Sequence, residues 1–109
     1  MDVSGYVGTP YSELNCWGLV REIYAKHLNL ALAPLPVQTT EKNNWIEIPR
    51  GEERVGDLVL FRISALKRHV GIVIGGGLMI HSDENLGVVI ERYKRDLWKS
   101  TLQSIYRHK

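Results

Sequence analysis

The chemistry available to this chain rests on one cysteine and four histidines, and their spacing narrows what they can do together. A lone cysteine closes no internal disulfide and supplies no paired spacing of a zinc finger. In CWGLVREIYAKHL, residues Cys16, Leu19, Val20, Ile23 and His27 recur at intervals of three and four, the repeat of one helix face. Asn15 is suited to cap the start and the PLP at 34–36 forbids continuation, so a helix over 15–28 is expected with Cys16 in its first turn. There the helix dipole and free backbone N–H groups favour a thiolate and can stabilise an oxyanion, the setting of an activated nucleophile. The competing reading is a small buried hydrophobe, a common role of free cysteines.

Of the histidines, His27 lies eleven residues beyond Cys16 on the same helix. That is about 16 Å at the helical rise, too far to serve the thiol as a base. His108 adjoins the C-terminus and is a poor member of a preorganised site. His69 and His81 remain, in HVGIVI (69–74) and LMIHS (78–82), two apolar runs separated by Gly75, Gly76 and Gly77, which suit a tight hairpin. With the glycines as its loop, residue 74 faces 78, 71 faces 81 and 69 faces 83. His69 and His81 are then diagonal neighbours on one face, roughly 7 Å apart, with Gly71 leaving space opposite His81. In that register His69 could take the thiol proton while His81 bonds the other ring nitrogen and fixes its tautomer. Either histidine taken singly reads more readily as a surface or hydrogen-bonded strand residue, and it is two on one face with a cysteine near the helix cap that bring the catalytic reading level. A zinc site of Cys16, His69 and His81 is chemically possible, although no close ligand pair supports it.

The elements around these residues form an ordinary globular pattern. The 109 residues, 44% hydrophobic and 24% charged, suffice for one core and one domain, 1–109. Apolar runs at 57–63, 69–74, 78–82 and 87–93, with TLQSIYR (101–107) as a possible fifth, predict an antiparallel meander. The expected class is α+β, with the Cys16 helix packed on four to five strands. Residues 38–55, anchored by Trp45, Ile46 and Ile48, read as a long packed loop or short helix. No run approaches the roughly 20 apolar residues of a membrane span, and MDVSGYVGTPYSELN has no signal-peptide pattern, so neither membrane insertion nor direct secretion is expected. A net charge of +2 argues for no nucleic-acid partner. The excess sits at the end, in Arg92, Lys94, Arg95, Lys99, Arg107 and Lys109, a solvated face or a contact with an anionic polymer or partner protein.

Four blocks in this order resemble the NlpC-type cell-wall cysteine peptidases, papain-like enzymes that cut peptidoglycan stem peptides. They are GTPYSELNCWGLVREIY (8–24), VGDLVLFR (55–62), HVGIVIGGGLMIH (69–81) and LWKSTLQSIYR (97–107). The resemblance is closer to the branch found as phage and prophage tail components. It implies Cys16 as nucleophile, His69 as general base and His81 as the orienting residue. It also implies Tyr11, with Tyr6 second, as a tyrosine assisting the oxyanion or substrate. Tyr11 as a packing residue is the other reading. The implied bond joins D-glutamate to a diamino acid, with no cofactor and no metal. The implied partners are the stem peptide and phage tail proteins, and the implied setting is synthesis in the cytoplasm followed by carriage to the wall in a virion or by a lysis pathway.

The chain departs from that pattern in two places. SELN replaces the usual Gly-Gly and Asp before the cysteine, and Trp17 replaces the usual serine after it, either narrowing the groove or providing a stacking wall. Other classes remain open: a tail-assembly or tail-tip interaction domain of the same fold with little activity, or a related amidase or acyl transferase.

Overall fold

A computed structural model describes residues 1–34 and 44–109. The chain runs through a 3-10 turn (Ser4–Tyr6), helix α1 (Cys16–His27), strands β1 (Trp45–Glu47), β2 (Leu58–Arg62), β3 (Arg68–Gly75), β4 (Leu78–Asp83) and β5 (Gly87–Arg92), helix α2 (Asp96–Thr101) and strand β6 (Leu102–His108). The strands form one antiparallel sheet in the order β1-β6-β2-β3-β4-β5. The α+β class holds, but the strand count is six rather than four or five. The extra strand falls where a loop or short helix was expected. Trp45 pairs with His108 and Glu47 with Tyr106, so β1 exists through a partner at the far end of the chain. Pro36, and the part of the 38–55 stretch before Asn44, lie outside the described residues.

Local chemistry explains the ends of α1. The Asn15 side-chain oxygen accepts the Gly18 N–H at 2.7 Å, satisfying one of the donors left open at a helix start. Lys26 and His27 occupy the last turn, where positive charge suits the dipole. Trp17, Leu19, Val20, Ile23 and Tyr24 are buried against the sheet. Cys16 is half-buried, and His27, at the expected spacing for that face, is exposed beyond its end.

Period two divides the sheet into two faces. Leu58, Leu60, Val70, Ile72, Ile80 and Val88 pack with α1. Val59, Phe61, Val73, Met79, Tyr93 and Ile105 pack together on the other face, joined by Trp98 of α2. Full burial of each large aliphatic is worth about 1.5–3 kcal/mol, so the two clusters fix which way every strand faces. His69, Gly71, Met79 and His81 therefore share the α2 face, while Ser82 turns to the α1 side and donates its hydroxyl hydrogen to the Leu14 carbonyl. The β3–β4 register pairs Ile72 with Ile80 and Val73 with Met79, the pairing implied by the glycine loop. A bulge beside the turn sets Gly75, not Ile74, opposite Leu78, and all three loop glycines have positive φ.

Two further contacts close the frame. Residues 8 and 9 lie along β5, with Gly8 N–H donating to the Val88 carbonyl and Val88 N–H to that of Thr9, each at 2.9 Å. Asp57, 3% exposed, accepts two hydrogen bonds from Arg107, at 2.9 and 2.8 Å. The basic C-terminal segment is thus not uniformly solvated, since Arg107 is spent on a buried carboxylate. Among the described residues no helix is long and apolar enough to cross a membrane.

Candidate active site

The Cys16 thiol is within reach of three backbone N–H groups, those of Trp17, Val70 and Cys16 itself. Val70 follows His69, so the sulfur rests on the strand that carries the expected base. Burial pushes the thiol above its ordinary value; the three N–H groups pull it back, and the Glu84 carboxylate adds to the upward push. The thiolate expected from the helix start is therefore not the resting form, because desolvation outweighs the N–H groups.

His69 and His81 meet as the register requires. His69 Nε2 and His81 Nδ1 are 2.8 Å apart, with the rings nearly perpendicular at 88°. The two nitrogens point at one another and not at a third centre, as ligation of one metal would require. Burial, then the neighbouring His81, hold His69 down at about 4. Burial also lowers His81, opposed by its contact with Glu91. At neutral pH the site therefore holds a protonated thiol and uncharged imidazoles. With Nε2 of His69 engaged, Nδ1 is the ring nitrogen left to accept a proton.

Two residues that the sequence reading did not single out complete the cluster. Glu91 Oε1 lies 2.9 Å from His81 Nε2, and the Trp98 Nε1–H donates to Glu91 Oε2 at 3.3 Å. The Trp98 indole also stacks on His69, with centroids 5.2 Å apart and planes at 26°. A signal for Glu91 was present: a β4–β5 hairpin pairing His81 with Val89 sets Glu91 opposite Met79, on the histidine face. Trp98 had none, since residues 96–100 precede the last apolar run and carry no period that assigns them to an element.

The remaining expected residues separate. Tyr11 is half-buried and lines a cleft of about 500 Å³ with Pro10, Ser12, Glu84 and Asn85. Burial raises its hydroxyl, and the charges of Cys16 and Glu84 add to the shift, so this hydroxyl feels the charge on the Cys16 sulfur. Tyr6 lies elsewhere, its hydroxyl 3.5 Å from Glu22 and its ring 6.0 Å from that of His27, both further along α1. Trp17 does not wall a groove. Its indole is buried in the core and its Nε1–H donates to the Ala33 carbonyl at 2.9 Å, because the second helical position faces the sheet.

Residues 4–107 match the NlpC/P60 family. The chain is 33% identical over 93 residues to "Murein DD-endopeptidase MepS/Murein LD-carboxypeptidase" of Escherichia coli K12, covering 84% of this chain and 48% of that protein. It is 31% identical over 100 residues to "Probable endopeptidase p60" of Listeria grayi, covering 85% of this chain and 19% of that one. The chain thus spans about half the length of the first relative and about a fifth of the second. Among solved structures, the NlpC/p60 domain of peptidoglycan hydrolase SagA superposes with a TM-score of 0.72 at 22% identity, over 94% of this chain and 90% of that one. An NLP/P60 family protein similar to lipoprotein, from Staphylococcus aureus Mu50, gives 0.77 at 24% identity, over 95% and 38%. These two likenesses speak for the fold. A cysteine at the start of a helix packed on an antiparallel sheet, within a match reaching almost from end to end, means that this chain belongs to the NlpC/P60 family.

Proposed function

We propose that the chain, as a single domain over 1–109, is a cysteine peptidase that hydrolyses an amide bond in peptidoglycan stem peptides. The bond proposed is that between D-glutamate and a diamino acid. The observation that carries the reading is the His69–His81 contact beside a helix-start cysteine. The names of the E. coli, Listeria and SagA relatives supply the substrate class.

The geometry suits a general-base start from a neutral pair. As the Cys16 sulfur attacks the carbonyl carbon, its proton passes to His69 Nδ1, so charge separates only when substrate is present. The tetrahedral oxyanion has the Cys16 N–H and the Tyr11 hydroxyl as available donors. The His69 imidazolium then protonates the leaving amine, giving a thioester, and takes a proton from the water that hydrolyses it. His81 holds the base ring throughout.

Carriage in a phage tail, among tail proteins, is the setting proposed from the resemblance of the Cys16–Trp17 start and the 97–107 block. The test is digestion of purified peptidoglycan and of isolated stem peptides by the wild type and Cys16→Ala, with products read by mass spectrometry. Cleavage at the D-glutamyl bond by the wild type alone is expected. Product masses from cleavage between D-amino acids would replace the proposed bond. No cleavage by folded protein would favour an interaction domain.

A further inference from the structure

Four residues on four successive elements form a closed ring of contacts: His69 on β3, His81 on β4, Glu91 on β5 and Trp98 on α2. His69 meets His81 at 2.8 Å, His81 meets Glu91 at 2.9 Å, Trp98 donates to Glu91 at 3.3 Å, and the Trp98 indole returns to stack on His69. His81 is fully buried, while Glu91 is 40% exposed and lines an open cleft of about 650 Å³ together with Trp98, Arg92 and Arg95. We infer that Glu91 is a positioning residue that sets the tautomers of both histidines, and that Trp98 holds Glu91 and the plane of His69. This rests on the peptidase reading of the same site.

The assignment follows from counting protons. A carboxylate only accepts, so His81 must carry its proton on Nε2 to bond Glu91. A neutral His81 then presents a lone pair at Nδ1, and His69 must donate from Nε2 to meet it. That leaves His69 Nδ1 without a proton, which is what a base toward the Cys16 thiol requires. The opposite arrangement, with His81 protonated on Nδ1, would put the His69 proton on Nδ1 and disable it. His69 and His81 alone are consistent with either arrangement. Glu91 removes the ambiguity from two hydrogen bonds away. The second Glu91 oxygen is occupied by a donor as well, so both face N–H groups and rotation of the carboxylate changes nothing.

Glu91→Gln separates this role from simple support, because an amide offers one accepting oxygen and one donating NH2. With two donors facing it, it satisfies one and opposes the other. If its oxygen takes the Trp98 N–H, its NH2 faces His81 and forces the disabling tautomer. In E91Q we expect both kcat on the stem peptide and the neutral-pH rate of Cys16 alkylation by iodoacetamide to fall by about 10²-fold or more. Adding Trp98→Phe removes the competing donor while keeping an aromatic face on His69. The double variant should then be more active than E91Q alone, reversing the order expected from two structural losses.

Long-range 15N–1H spectra of the histidine rings report the tautomers without substrate. The expected result is Nε2–H on both His69 and His81 in the wild type and loss of that pattern in E91Q. Nδ1–H on His81 in the wild type would overturn the assignment even if no Glu91 variant folds. Wild-type alkylation and turnover in folded E91Q would overturn it as well. Absence of peptide cleavage by the wild type, with the stated tautomers present and lost in E91Q, would sink the peptidase reading while supporting this one.

Discussion

Ser82, fully buried in β4, donates its hydroxyl hydrogen to the carbonyl of Leu14, two residues before Cys16. Its neighbour His81 projects from the opposite face of the same strand, so one short segment holds both the entry to α1 and the imidazole that meets His69. Ser82→Ala leaves the Leu14 carbonyl without this donor. The expected cost is about 1–2 kcal/mol in thermal or urea unfolding, together with a lower kcat. Wild-type kcat at reduced stability would show that the tether supports the fold alone.

Gly71 leaves no room for a side chain. A Cβ there would stand 2.7 Å from the Met79 sulfur and 3.4 Å from the His81 Cβ. Gly71→Ala must displace Met79 within a packed cluster and press on His81. A loss of about 1–3 kcal/mol in urea unfolding is expected, with activity falling further than stability. Equal stability and activity would mean that Met79 repacks freely.

Acid should destabilise the fold through the histidines. His69 is held at about 4 in the folded chain against an ordinary 6.5. Between those values the unfolded chain binds a proton that the folded chain refuses, so the stabilising contribution is complete above about 6.5 and is lost as pH falls toward 4. His81, lowered as well, acts in the same direction. The unfolding free energy from urea titrations should therefore drop from pH 7 to pH 5 in the wild type, by up to about 1.4 kcal/mol per pH unit from His69, and drop less in His69→Gln. Equal drops in both proteins would remove His69 as the source.

The Glu84 carboxylate opposes ionisation of Cys16 and is itself paired with Lys67 at 3.3 Å. Both side chains of that pair are largely exposed, so solvent screens the effect. Glu84→Gln should raise the alkylation rate of Cys16 at pH 7 by about two- to threefold, and Lys67→Met should lower it. Rates measured at low and high salt should converge if the effect is electrostatic.

Much of this organisation was legible where the cause is local. Asn15 and the apolar spacing after Cys16 located α1 to within a residue at each end, because a cap and a face are properties of neighbouring residues. The Gly75–Gly77 loop fixed the His69–His81 face because the side-chain period of a strand is two. β1 was not legible, since three residues carry no usable period and their partner, β6, is at the other end of the chain. α2 is short and has no side-chain hydrogen bond at its start, which left Trp98 unplaced. Trp17 shows a different limit: adjacency to Cys16 in sequence does not set the direction of a side chain, and the helix turns this one into the core.

His69, His81 and Glu91 come from one contiguous stretch folded as three neighbouring strands, with Trp98 joining from just beyond it, whereas Cys16 stands far earlier in the chain. Contacts of short sequence separation close early and cheaply in folding, and distant ones close later. During synthesis Cys16 leaves the ribosome before β3, β4 and β5, whose histidines and Glu91 form the cluster, have been made. The growing chain thus holds a thiol without the paired imidazoles, and the cluster is complete only when α1 docks on a finished β3–β5 unit.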